Sequence, residues 1–85
     1  MKLIIKQNST KTKEENIGVF TKTVTMKPFN SEIKQLIFCY DGSNGSTGRK
    51  PITYTNLEFH IKACGSIWFE YASADKEYTI ELLIK

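Results

Sequence analysis

Arginine is nearly absent from this chain: Arg49 stands alone beside eleven lysines. Arginine is the usual bidentate reader of bases and phosphates, so its scarcity ranks nucleic-acid recognition behind other readings. AT-rich coding also yields such a lysine bias. Histidine occurs once (His60) and cysteine twice (Cys39 and Cys64). One histidine and two widely spaced cysteines contain no paired-ligand motif, so neither a metal nor a cofactor is expected. Without an export signal, two cysteines read as reduced thiols rather than a disulfide. The apolar run within residues 1–6 is too short for a secretory leader or a membrane span. A cytoplasmic chain with no membrane partner is the expectation.

Catalytic constellations are equally sparse. Gly42, Gly45 and Gly48 lack the spacing of a phosphate loop or a dinucleotide fingerprint. Cys64 and His60 lie four residues apart on one extended segment, about 13 Å at the usual rise, which is beyond hydrogen-bond reach. His60 and Glu70 resemble an acid–base pair, but a cross-strand pair on a solvated face is the simpler reading. No enzyme is expected.

What is present is alternation, the mark of half-buried strands. Eighty-five residues make one domain, spanning residues 1–85. Toward the C-terminus Leu57, Phe59 and Ile61 alternate with Glu58, His60 and Lys62. Ile67, Phe69 and Tyr71 alternate with Trp68, Glu70 and Ala72, and Tyr78, Ile80 and Leu82 with Glu77, Thr79 and Glu81. With a three-residue loop at Cys64-Gly65-Ser66 and a four-residue connection at residues 73–76, the apolar residues of all three segments fall on one face. This predicts a C-terminal three-stranded meander. On its outer face His60 would stand across from Glu70, and Trp68 across from both Lys62 and Glu81.

The remainder fits the same class. Residues 2–6 read as a strand, residues 7–16 as a polar mobile loop, and residues 17–26 as a long strand ended by Pro28. Residues 31–40 read as a strand, or alternatively as one short helix. Residues 41–51 read as a glycine-rich loop carrying Arg49 and Lys50. The expected fold is all-β, a small antiparallel sandwich or barrel of five to six strands; the helical alternative would make it α+β and β-grasp-like.

Net charge is +3, and residues 1–30 alone hold +4, so any anion-facing surface should lie near the N-terminal strands. The candidate binding residues are Trp68, Lys62, Glu81, His60 and Glu70, joined by Arg49 and Lys50. Trp68, the only tryptophan, sits on a polar face and is either covered or an interface anchor. These features suggest a non-catalytic protein-binding module that occludes a larger partner or self-associates as a homodimer. The size and lysine bias fit an inhibitor carried by a phage or mobile element. The alternatives are a single-stranded nucleic-acid-binding small barrel and a β-sandwich that binds carbohydrate or another small ligand.

Overall fold

A computed structural model describes residues 1–18, 21–26, 33–41, 46–52, 58–62 and 65–85, with Thr21, Lys22, Phe59 and Lys62 described by backbone alone. Among the described residues there are eight strands: β1 (Lys2–Ile5), β2 (Glu15–Asn16), β3 (Thr21–Met26), β4 (Ile37–Asp41), β5 (Thr47–Pro51), β6 (Glu58–Lys62), β7 (Ser66–Glu70) and β8 (Tyr78–Ile84). They form two four-stranded sheets, ordered β1-β8-β3-β6 and β2-β7-β4-β5. Every ladder is antiparallel. The all-β sandwich expected from the alternation is the fold, with eight strands rather than five or six. The helical alternative for residues 31–40 does not hold where the structure describes that stretch, because Ile37–Asp41 is strand β4.

The pairing follows a simple rule. β1 pairs with β8, β2 with β7, β3 with β6 and β4 with β5. These are the rungs of one long hairpin, folded at β4–β5 and rolled until its two legs lie in both sheets, which is jelly-roll order. The expected C-terminal meander is therefore overturned. β6, β7 and β8 belong to the returning leg, so each pairs with its counterpart on the outgoing leg and not with the others. β6 lies against β3, β7 between β2 and β4, and β8 between β1 and β3. Of the tight loop expected between β6 and β7, residues 63–64 lie outside the described residues.

The expected burial survives this change of partners. Ile61, Ile67, Phe69, Tyr71, Ile80 and Leu82 are all buried. Period-two alternation assigns a side chain to a face whichever strand lies alongside, and both sheets turn their apolar faces inward. The first sheet contributes mostly aliphatic side chains, among them Leu3, Ile5, Val24, Met26 and Ile80. The second contributes aromatics: Phe38 and Phe69 are cross-strand partners with ring centroids 5.4 Å apart. Complete burial of each such side chain is worth roughly 1.5–3 kcal/mol. Gly48 on β5 faces Tyr40, and the tyrosine ring occupies the space that a Cβ would need.

Residues 7–16 are the second correction. Rather than a mobile loop, residues 10–17 run along the free edge of β7. Tyr71 N–H donates to the Thr10 carbonyl, Thr12 N–H to the Phe69 carbonyl and Ile17 N–H to the Gly65 carbonyl. Lys11 pairs with Glu70 and Glu15 with Ile67, so four steps on one strand match three on the other. That extra residue is a β-bulge. Within it Thr12 is only 4% exposed, and its hydroxyl accepts the Phe69 N–H at 2.9 Å. A composition read as loop thus makes strand because its pairing rests on backbone groups and one threonine hydroxyl.

Candidate functional site

The rolled hairpin divides the candidate residues between two outer surfaces. On the second sheet the register sets Trp68 opposite Cys39 and Cys39 opposite Arg49. One step along, Glu70 lies opposite Ile37 and beside Lys11. Glu70 joins these rows. Its Oε2 accepts the Trp68 indole N–H at 2.9 Å, and its Oε1 lies 2.5 Å from Arg49 Nη1. The Arg49–Glu70 pair crosses the row that contains Cys39, whose side chain is 0% exposed.

Trp68 is only 5% exposed, so of its two expected placements the covered one is found. The Lys11 ammonium lies 4.9 Å from the indole centroid, a cation–π contact, and is 3.5 Å from Glu14. Lys11 is not among the candidates the sequence offers, because its segment has the composition of a loop. A lysine stem over an outward-facing aromatic leaves no periodic signal in sequence.

The electrostatics make this cluster a clamp. The indole N–H and then the guanidinium hold the Glu70 carboxyl below the usual carboxylate range. Burial, reinforced by the Glu70 charge, pushes the Cys39 thiol up to about 11. A general acid or base works best near the ambient pH, and both groups are moved away from neutrality. The arrangement suits locking side chains together better than moving protons.

The other candidates lie elsewhere. The expected row joining Lys62, Trp68 and Glu81, flanked by His60 and Glu70, does not exist, since its members are split between sheets. Glu81 on β8 pairs with Lys2 on β1, at 3.8 Å between charges. His60 on β6 is opposite Thr23, not Glu70, with Nδ1 3.1 Å from the Thr23 hydroxyl and Nε2 3.7 Å from Glu58. Lys62 is opposite Thr21 in the same ladder. Arg49 and Lys50 are on strand β5 rather than in a loop; Lys50 is opposite Phe38, and successive residues of a strand face opposite ways. Cys64 lies outside the described residues.

The first sheet carries one further candidate, on β8. Glu77, Thr79 and Glu81 mark the polar register of β8, and the next position in that register is Leu83. It is 55% exposed. Extending the alternation by two residues would have found it. A shallow depression of about 250 Å³ beside it is lined by Met1, Lys2, Glu81, Leu82 and Leu83. Among the described residues no three His, Cys, Asp or Glu side chains gather to hold a metal ion, and no helix is long and apolar enough to cross a membrane. Comparison with protein-family models, with curated proteins and with solved structures finds no match.

Proposed function

We propose that this chain is a non-catalytic protein-binding module whose contact surface is the outer face of the β1-β8-β3-β6 sheet. One observation carries the reading. The exposed large apolar side chains among the described residues, Met1 and Leu83, line the same depression instead of being scattered. Isolated exposed apolar residues are ordinary, whereas adjacent ones framed by polar groups have the pattern of an interface core with its rim. Lys2 and Glu81 form that rim on one side.

The charges of this face favour a second copy of the chain as occupant. Lys2 is on the β1 edge of the sheet and Glu58 on the β6 edge. A two-fold axis parallel to the strands lays the β1 edge of one protomer over the β6 edge of the other, bringing opposite charges together. Occlusion of a different, larger protein by the same face is the action of a small inhibitor of the phage or mobile-element kind, working in the cytoplasm.

Light scattering on the wild type and on Leu83→Glu tests this. The expected result is a dimer that the substitution converts to a monomer with an unchanged far-UV spectrum. A wild type that stays monomeric at its highest soluble concentration removes the second copy as occupant. Association unaltered by Leu83→Glu removes the face.

A further inference from the structure

At the open side of the sandwich the edge strand of one sheet confronts the edge strand of the other. A groove of about 380 Å³ runs between β1 and residues 9–15, and Lys2, Lys6, Ser9, Lys11, Lys13 and Glu15 are among its lining residues. Four lysines against one glutamate leave +3 in this groove, equal to the formal charge of the entire chain. The cationic excess is thus gathered at one place, where β1 and the bulged edge of the second sheet meet.

The lysines are not equivalent. Lys2 is 3.8 Å from Glu81, and Lys11 is 3.5 Å from Glu14. Lys6 and Lys13 have no carboxylate within ion-pair distance among the described residues. The backbone adds donors. Met1 and Leu82 exchange both of their N–H···O bonds, so the alternation of an antiparallel pair turns the amides of Lys2 and Ile4 away from β8, toward the free edge. The groove therefore combines ammonium groups on both rims with outward backbone N–H groups on one wall.

We infer that this groove binds the phosphodiester backbone of a single-stranded nucleic acid, beside the protein-binding face, with which it shares Lys2. Lysine holds phosphate as a point charge without needing a bidentate fork, and the one arginine, Arg49, is committed to Glu70 on the other surface. A cationic groove that tracks a strand without reading its bases is the electrostatic half of a single-strand-binding site. Trp68 lies under Lys11 and offers no free stacking face, so binding is insensitive to base sequence.

Fluorescence anisotropy of a labelled oligothymidylate, titrated with the full chain at low salt, tests the assignment. Each lysine–phosphate contact on a single strand contributes roughly −0.7 to the slope of log K against log salt concentration, so four give about −3. The double variant Lys6→Ala/Lys13→Ala should lower affinity roughly tenfold and reduce the slope by about 1.4, while Lys34→Ala, outside the groove, binds as wild type. Absence of binding at low salt overturns the inference. So does competition by polyglutamate as effective as that by unlabelled oligonucleotide, which would assign the groove to an acidic protein. A double variant that aggregates yet binds normally also overturns it, because the lysines would then only guard the strand edge.

Discussion

Trp68 and Glu70 stand two residues apart on β7, on the same outward face, and the indole N–H of the first donates to Oε2 of the second. The other carboxylate oxygen meets Arg49. Glu70→Ala therefore removes the acceptor of a nearly buried N–H and one partner of an ion pair together. A loss of about 1–2 kcal/mol is expected from urea denaturation, with Trp68 emission altered in the native state. Glu70→Gln retains an oxygen for the indole and should lose less.

The same carboxylate makes stability depend on acid. Its folded pKa is depressed, first by the indole N–H and then by Arg49. The contribution is thus present above the unfolded value of about 4.5 and is lost as pH falls through the lower folded value. Urea midpoints followed from neutral to acid pH should fall more for wild type than for Glu70→Gln. Parallel profiles would show that the clamp does not couple to folding.

Thr12→Val keeps the shape of the side chain but leaves the buried Phe69 N–H without an acceptor. The expected cost is about 1–3 kcal/mol, and Thr12→Ser should restore most of it. Faster hydrogen exchange at the Phe69 amide in the valine variant would locate the effect at the bulge.

Gly48→Ala places a methyl group where the Tyr40 ring lies. A loss of about 1–3 kcal/mol is expected from overpacking. The cost should shrink when it is measured in a Tyr40→Val background, because the two sites share one space. Equal costs in both backgrounds would mean that the ring moves aside freely.

Cys39 should be chemically silent in the native state. In a Cys64→Ser background a thiol reagent at mildly alkaline pH should label the chain only after unfolding, since burial keeps the thiol protonated up to about 11. The folded pKa lies above the unfolded value of 9.0, so this group's contribution to stability is complete below pH 9 and is lost as pH rises toward 11. Rapid labelling of native protein would contradict the closed position of the side chain.

The faces of this sandwich were legible in the sequence, and its partnerships were not. Ile61, Phe69 and Ile80 declared themselves inward by alternation alone, because that signal depends only on the pleat of each strand. Nearness along the chain suggests pairing of β6, β7 and β8 with one another, and it fails there, while β5 has the composition of a loop and pairs with β4 all the same. A loop of a few residues can turn a hairpin or carry the chain from one sheet to the other, and its length does not distinguish the two. The candidate site divided for the same reason. Trp68, Glu70 and Arg49 stayed together because β7, β4 and β5 share a sheet, whereas His60, Lys62 and Glu81 went to the other.

The rolled hairpin also orders events in time. Among the described strands that pair with each other, β4 and β5 are the nearest in sequence and can pair early, while β1 has β8 as its single strand neighbour. β1 therefore waits for β8. Folding should zip outward from the β4–β5 pair and close with β1 on β8, at the millisecond-to-second pace of topologies dominated by distant contacts. Until β8 arrives, β3 lacks one neighbour and β1 lacks its only neighbour among the described strands, so both expose unpaired edges to other chains in the interval.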